Sequence, residues 1–310
     1  MTTLVHSLNS TIVRNMIGLA LMRARFAVGG WITPRQTANR AARLFATPFA
    51  SSRKRARAAQ ADEAMRRGEL HIGGRTIATY TWGDPATQPY VLFAHGWSSF
   101  GLRFAAWVPQ LRALGYAVVA FDQAGHGNSS GDLSTLADFA DTLHAVGEHF
   151  GDAALVVAHS FGGAALALAQ DERWHAQRVI LIAPAADISA AVRRFFRFAR
   201  VGEHLREPFF AWYKRRTGVD ARELVLHRRL PMFAQPALVI HDLEDREVPW
   251  GEGEYYARHW PGARLLTTTG LGHNRVVDDA AVIAQALRFT QGEIIGERVI
   301  ASENLAYGFA

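Results

Sequence analysis

The sequence has 310 residues, of which 49% are hydrophobic and none is cysteine. This composition suits a globule with one large core or two modest domains, and it excludes a disulfide framework, a thiolate metal site and a cysteine nucleophile. The net charge of +6 is unevenly distributed, because residues 1–61 contain ten Lys or Arg and no Asp or Glu. The rest of the chain is therefore mildly acidic, and we expect no nucleic-acid partner.

The chain begins with a basic arm, residues 1–66. Apolar residues from Ile12 to Ala24 recur at helical spacing, and Arg23 interrupts them. This pattern predicts an amphipathic helix, because a membrane span needs about 20 uncharged residues. The helix either docks on the body of the protein, which we favour, or makes peripheral contact with a membrane through residues 1–61. The basic residues within 51–61 indicate a solvated linker.

Short apolar runs alternate with helical stretches over residues 67–292. The apolar runs are typical of strands that are covered on both faces. The predicted strands are 90–94, 117–121, 155–158, 179–183, 237–240 and 263–266, and the predicted helices are 101–114, 134–150, 162–171, 252–259 and 278–291. This alternation predicts an α/β fold in which helices flank a mostly parallel central sheet and ligands bind beyond the carboxyl ends of its strands.

Residues 187–234 break this alternation. They are rich in arginine and aromatic residues and separate two strands that need only a short connection. We predict an inserted helical cap there. Its eleven basic and five acidic residues either face solvent or favour substrates with an anionic part. The C-terminal tail, residues 293–310, shows no pattern that predicts a role.

The segment Leu-Val-Val-Ala-His-Ser-Phe-Gly-Gly, residues 155–163, is a buried strand that passes through small residues into a helix. Ser160 lies at the turn. A serine there is held on a sharp, strained bend with its hydroxyl exposed, and the residues two positions away must be small because strand and helix pass close by. Gly162 meets this requirement, and Ala158 stands where glycine is usual. This pattern alone occurs often by chance.

Further motifs lie just past the ends of other predicted strands. They are Phe-Ala-His-Gly-Trp at 93–97, Asp-Gln-Ala-Gly-His-Gly-Asn-Ser at 122–129, His-Asp-Leu-Glu-Asp-Arg-Glu-Val-Pro at 241–249, and Gly-His at 272–273. In this order, and together with the serine turn, they resemble the serine-dependent α/β-hydrolase family, in particular esterase-like and lipase-like members with a helical cap. The resemblance covers about residues 70–291.

The resemblance implies a set of catalytic residues. Ser160 is the expected nucleophile, His273 the base, and Asp245 the acid that orients the base. A serine hydroxyl is a poor nucleophile at neutral pH, so an imidazole must take its proton during attack and return it to the leaving group. The backbone amides of Trp97 and Phe161 are the expected oxyanion donors, and the side chains of both are expected to line the substrate pocket.

Other polar residues compete with these assignments. Asp242 and Glu244 follow the same strand as Asp245, which we prefer because its spacing to the Val-Pro pair at 248–249 fits the family pattern. We expect three histidines of these motifs to shape turns. They are His95, His126 and His159. We expect Asp122 to anchor its loop.

The sequence therefore predicts a serine hydrolase that cleaves small-molecule esters or thioesters through an acyl-enzyme intermediate, without a cofactor or metal. A dehalogenase or epoxide hydrolase of this fold would carry aspartate in place of Ser160. Lipase, thioesterase and carbon–carbon bond hydrolase activities stay open, because they differ in pocket shape. A non-catalytic binding protein of the same fold is the alternative from another class. We expect a cytoplasmic location, with membrane association left open, and the oligomeric state is not predicted.

Overall fold

The computed structural model of the protein describes residues 2–60, 63–224 and 226–299, and their side chains from residue 16 onward with the exception of residue 227. The chain divides into two compact units. We call Met1–Ala46 with Ile188–Leu224 the helical unit, and Thr47–Asp187 with Val225–Ala310 the sheet unit.

The sheet unit contains one sheet, to which the described residues contribute eight strands. They are β1 (Arg66–Ile72), β2 (Arg75–Trp82), β3 (Tyr90–Ala94), β4 (Ala117–Phe121), β5 (Leu155–His159), β6 (Val179–Ile182), β7 (Ala237–Asp242) and β8 (Ala263–Thr268). Their order across the sheet is β1-β2-β4-β3-β5-β6-β7-β8. Neighbours from β4 to β8 pair in parallel, whereas β2 is antiparallel to both β1 and β4. The predicted α/β class with a mostly parallel sheet is confirmed.

The helices follow the predicted pattern closely in the sheet unit. In chain order the α-helices are α1 (Thr2–Ile32), α2 (Pro34–Phe45), α3 (Ala50–Ala58), α4 (Val108–Ala113), α5 (Leu136–Phe150), α6 (Phe161–Ala169), α7 (Ile188–Ala199), α8 (Arg206–Thr217), α9 (Trp250–His259), α10 (Gly272–Arg275) and α11 (Ala280–Thr290). Helices α5, α6, α9 and α11 match predicted helices. The predicted helix 101–114 is a 3₁₀ helix, Gly101–Trp107, that continues into α4.

The central strands are held by burial on both faces. Strands β3, β4, β5, β6 and β7 are buried along their whole length. Aromatic packing closes one side of this core, where Phe93 stacks on Phe104 with ring centroids 4.5 Å apart. The indole Nε1 of Trp107 donates a hydrogen bond to the Val277 carbonyl, so this large side chain is buried without an unpaired donor. The sheet is therefore a rigid base for the loops at its carboxyl edge.

The helical unit combines the N-terminal arm with the inserted helices. Its core contains Phe26 of α1 and a row of fully buried alanines on α2, Ala38, Ala41 and Ala42. These pack with large side chains of α7 and α8, among them Phe196, Phe209 and Phe210. Arg23, which interrupts the apolar pattern of α1, donates from Nε to the Phe198 carbonyl at 2.8 Å. Helices α1 and α2 of the arm therefore pack against other helices of the protein, which is the interpretation that we favoured.

The boundaries of the predicted arm and cap change in the structure. The helical unit ends at Ala46 and resumes at Ile188, so residues 47–66 and 226–234 belong to the sheet unit. In the described part of the predicted tail, Glu297 exchanges backbone hydrogen bonds with Leu265 of β8. Residues 300–310, the rest of that tail, lie outside the described residues.

The predicted solvated linker at 51–61 is wrong. Residues 50–58 form α3, in which Ser52 and Ala56 are buried. Arg53 donates to the carbonyls of Gly125, Gly131 and Ser129. The basic side chain that suggested solvation from the sequence instead satisfies backbone acceptors of a loop.

No helix among the described residues combines the length and apolarity that are needed to cross a membrane.

Candidate active site

Ser160 lies at the sharp turn between β5 and α6. Its backbone has φ 55° and ψ −121°, a combination that a residue with a Cβ rarely adopts. Such a conformation costs about 1–3 kcal/mol and persists only when its surroundings fix it. Here the Ser160 amide donates to the Ile182 carbonyl, and the Ser160 carbonyl accepts from the amides of Gly163 and Ala185.

Small residues make this turn possible. A Cβ on Gly162 would lie 2.5 Å from the Ala94 carbonyl oxygen, and a Cβ on Gly96 would lie 2.9 Å from the Ser160 Cβ. Both positions therefore require glycine. Ala158, which stands where glycine is usual, is fully buried in β5 between Ala94 and Leu181. The extra methyl group is accommodated in the sheet.

Three side chains from separate loops meet at the carboxyl edge of the sheet. Ser160 Oγ lies 2.9 Å from Nε2 of His273, which is carried by α10 after β8. Nδ1 of His273 lies 2.7 Å from Oδ2 of Asp245, in the loop after β7. Because the carboxylate only accepts, we assign the Nδ1 proton to His273, which leaves Nε2 free to accept from the serine hydroxyl. The structure thus brings together the three residues that the sequence singled out.

Asp245 is ionised in a buried setting. Its Oδ1 accepts from the amides of Glu247 and Val248 at 2.8 and 2.9 Å. Burial alone would raise the pKa of this carboxyl, but interactions with His241 and His273 outweigh burial and hold the pKa well below its usual value. A charged carboxylate beside Nδ1 can stabilise an imidazolium at His273.

His241 is a second histidine beside this acid, and although it begins the motif at 241–249, the sequence assigned it no role. It is fully buried at the end of β7, with Nε2 3.4 Å from Asp245 Oδ2 and 3.0 Å from the Val248 carbonyl. Since both neighbours are acceptors, Nε2 carries the proton. A Cβ on Gly253 would lie 2.3 Å from its Nδ1, so α9 approaches this ring closely. Its position four residues before Asp245 was the only signal in the sequence.

Asp242 competes with Asp245 in the sequence, but the structure places it elsewhere. Its carboxylate is fully buried and accepts from Thr268 Oγ1 at 2.8 Å and from the amides of Leu271 and Glu244, each at 3.0 Å. One of these donors, the Leu271 amide, belongs to the loop that carries His273. Asp242 therefore holds the loop, and no contact joins it to the imidazole ring of His273 among the described residues.

His159 also supports His273. Its Nε2 donates to the His273 carbonyl at 3.0 Å, and the two rings lie 4.7 Å apart. Burial holds the pKa of His159 well below its usual value, so the ring stays neutral. The residue before Ser160 thus contacts the backbone of His273.

The two residues whose amides are expected to bind an oxyanion are Phe161, which follows Ser160 in the chain, and Trp97, which follows Gly96. Phe161 is the first residue of α6, where an amide has no acceptor within the helix. A Cβ on Gly96 would lie 2.9 Å from the Ser160 Cβ, so Trp97 directly follows a residue that approaches Ser160 closely. The half-buried rings of Trp97 and Phe161 meet edge to face, with centroids 5.8 Å apart. These rings form an apolar wall next to Ser160.

The remaining motif residues support turns, as expected. His95 accepts at Nε2 from the Gln123 amide, and His126 accepts at Nε2 from the Ser98 amide. Burial lowers the pKa of His126 to about 3, which keeps this acceptor unprotonated. Asp122 anchors its loop by accepting from the Gly101 and Asn128 amides. Within the described ranges, no three His, Asp or Glu side chains converge as metal ligands.

Comparison with known proteins adds independent findings. A profile described as "Alpha/beta hydrolase family" matches residues 91–286. No curated protein matches the sequence. Many solved structures match, and three illustrate the likeness, each covering about three quarters of this chain.

The first is an esterase from Thermogutta terrifontis, 22% identical, with a TM-score of 0.52 over 73% of this chain and 98% of its own. The second is a serine hydrolase from Cycloclasticus zankles, 19% identical, with a TM-score of 0.54 over 74% and 98%. The third is a thioesterase domain from the curacin biosynthetic pathway, 20% identical, with a TM-score of 0.55 over 74% and 100%. Likeness at this level of identity establishes the fold.

Proposed function

The chain belongs to the α/β-hydrolase family, and from this premise we propose that it cleaves carboxylic esters or thioesters through an acyl-enzyme intermediate on Ser160. The observation that carries the proposal is the unbroken series of hydrogen-bond contacts from Ser160 Oγ through the His273 ring to Asp245. In this geometry an imidazole can take the hydroxyl proton at one nitrogen while a charged acid holds the other.

The first half of the reaction forms the acyl-enzyme. Ser160 Oγ attacks the substrate carbonyl carbon as its proton passes to His273 Nε2, and the carbonyl oxygen becomes an oxyanion. The amides of Trp97 and Phe161 donate to that oxygen, an interaction that is strongest in the transition state. The tetrahedral intermediate then collapses. The bond to the alcohol or thiol breaks, and His273 gives the proton to this leaving group.

The second half restores the enzyme. Water attacks the Ser160 ester, its proton passes to His273 Nε2, and collapse releases the carboxylic acid as the proton returns to Ser160 Oγ. Every group in this cycle belongs to the chain, to the substrate or to the attacking water. An ester and a thioester differ only in the leaving atom, and solved structures called esterase and thioesterase share the fold.

The proposal is tested with chromogenic esters and thioesters of increasing acyl length. The expected result is turnover by the unaltered protein and a loss of at least about 10³-fold in kcat for Ser160→Ala. A serine-directed phosphonate should add one adduct that mass spectrometry maps to Ser160. Ser134→Ala is the matched control, because Ser134 is buried and its hydroxyl has no hydrogen-bond partner among the described residues.

Two outcomes would reject the proposal. Turnover that survives Ser160→Ala would mean that another group is the nucleophile. A complete lack of turnover across the panel, with no phosphonate adduct, would favour the alternative of a binding protein with this fold.

A further inference from the structure

Helix α1 has apolar residues on two opposite faces. The inner face carries Phe26, which is 7% exposed in the core of the helical unit. The opposite face carries residues whose side chains remain in solvent: Ile17, Leu21, Val28, Trp31 and Ile32, which are 55%, 60%, 58%, 79% and 73% exposed. We call these five residues the outer stripe.

The outer stripe is continuous. At about 100° per residue its members fall within an arc of about 100° around the helix axis, and Ala24, also exposed, lies on the same arc. At 1.5 Å per residue the stripe is about 22 Å long. Exposed apolar residues that are scattered singly need no explanation, but a row of this length indicates a docking surface.

The helical unit has a strong positive charge, which favours an anionic partner for the outer stripe. Residues 1–46 and 188–224 contain fifteen Lys or Arg and four Asp or Glu, whereas the sheet unit contains nineteen and twenty-four. Residues 1–46 contain no acidic residue at all. Arg25 is exposed and lies about 70° from the centre of the stripe, and Arg35 is exposed just beyond the end of α1. The apolar surface therefore has a basic margin.

We propose that the outer stripe of α1 docks on an anionic phospholipid bilayer, with the helix lying in the plane of the interface. Apolar side chains then enter the boundary between headgroups and acyl chains, while arginines contact lipid phosphates. Trp31, at one end of the stripe, is the residue type that prefers this boundary. A second copy of the chain is a poor occupant, because two strongly basic units would repel each other.

The test is co-sedimentation of the full chain with phosphatidylcholine vesicles that either contain or lack phosphatidylglycerol. The protein should pellet with the anionic vesicles, and less so as salt is raised. The variant Leu21→Gln with Val28→Gln should lower the partition coefficient by about tenfold or more, because it removes two of the inserted side chains. Arg25→Glu should lower it as well.

Matched controls come from the sheet unit. Met232 and Ile294 are 80% and 79% exposed, so Met232→Gln with Ile294→Gln likewise replaces two apolar side chains by glutamine, at sites more exposed than Leu21 and Val28. Arg67→Glu, on exposed β1, matches the charge reversal. Both controls should pellet like the unaltered protein. Equal circular dichroism spectra establish that the stripe variants are folded.

Three results would overturn the proposal. They are no pelleting of the unaltered protein, pelleting that is equal with neutral vesicles, and pelleting that the stripe variants leave unchanged. A dimer in gel filtration that the stripe variants convert to a monomer, without vesicle binding, would assign the stripe to a second copy. None of these results bears on ester hydrolysis, which is measured separately with soluble substrates.

Discussion

At the scale of single residues, Asp242 is a buried charge with a defined task. Burial alone would raise the pKa of this carboxyl, but hydrogen bonds from Thr268 and from backbone amides outweigh burial and lower the pKa. Two of those amides, Leu271 and Gly272, directly precede His273. The same hydrogen bonds that keep Asp242 charged therefore also fix the position of His273, the proposed base.

Asp242→Asn should separate positioning from chemistry. One carboxylate oxygen becomes an NH₂ group, which cannot accept from the loop amides, so the loop and His273 shift. A displacement of about 1 Å at a reacting group can cost about 10²-fold. We expect kcat to fall by about 10–100-fold with little change in KM, as measured with the chromogenic esters.

A nearby exposed residue provides the control for this change. Glu244 lies two residues further along in solvent, and Glu244→Gln should leave kcat unchanged. A normal kcat for Asp242→Asn would show that the loop is held by other contacts.

The sequence indicates some of these residues and not others. Ser160, Asp245 and His273 each lie in a motif that follows a strand, and the resemblance of these motifs to the family was enough to select them. The supporting roles of Asp242 and His241 depend on partners in other segments, such as Thr268 and Gly253. Residue types alone do not predict which segments meet, and these roles could be assigned only from coordinates.

At the scale of elements, α3 packs on a loop of its own unit through Arg53. Its guanidinium donates to three carbonyls of the loop at 125–131. That loop also contains His126, which accepts from the Ser98 amide in the turn that follows β3. The helix therefore stabilises loops at the carboxyl edge of the sheet.

Removing the guanidinium should destabilise the protein. Arg53→Ala leaves the three carbonyls to water and should lower the free energy of unfolding by about 1–2 kcal/mol, the range expected for partly exposed hydrogen bonds to a charged group. Urea titration followed by tryptophan fluorescence measures this change. Lys54→Ala, at the exposed neighbouring residue, should change it by less than about 0.5 kcal/mol. Equal effects of the two substitutions would contradict the role of Arg53.

The sequence predicted the strands that are uniformly apolar because both of their faces are buried. It missed strands whose residues are partly polar. Strand β1 is mostly exposed, and its segment Arg-Arg-Gly-Glu carries no apolar run. The signal that remained was the Gly73-Gly74 pair, which joins Ile72 to Arg75 with positive φ at both glycines. A two-residue turn of this kind is typical of a hairpin. Helix α3 was missed for a related reason, since its four basic residues hide the small buried face.

At the scale of the whole molecule, the sequence shows charge asymmetry but not the grouping of segments. The N-terminal arm and the inserted helices are more than 140 residues apart along the chain, yet Phe26 and Phe209 share one core. No local pattern links them, because each amphipathic helix shows only that it has a face to bury. Which faces pair is a property of the folded molecule.

Three buried histidines should make the stability of the protein sensitive to mild acid. Burial lowers the pKa of His95, His126 and His159, to about 3 for His126. In the unfolded chain a histidine has a pKa of about 6.5, so below that pH the unfolded state binds more protons and is favoured. The contribution is fully present above about pH 6.5 and is lost progressively as pH falls toward the folded pKa. For His126 this cost should be about 1.4 kcal/mol between about pH 7.5 and 5.5, and His95 and His159 should act in the same direction.

Urea titrations of the unaltered protein and of His126→Asn at both pH values isolate one of these contributions. The variant is less stable at about pH 7.5, because the Ser98 amide loses its acceptor. The variant no longer carries a buried neutral imidazole that resists protonation. Its free energy of unfolding should therefore fall less on acidification than that of the unaltered protein. The difference in free energy of unfolding between the two proteins should therefore be smaller by about 1.4 kcal/mol at about pH 5.5 than at about pH 7.5. His175→Asn, at an exposed histidine whose side chain is 55% accessible, should leave the difference constant. A gap for His126→Asn that is the same at both pH values would mean that His126 is protonated in the folded protein, and that the turn it supports tolerates a buried charge.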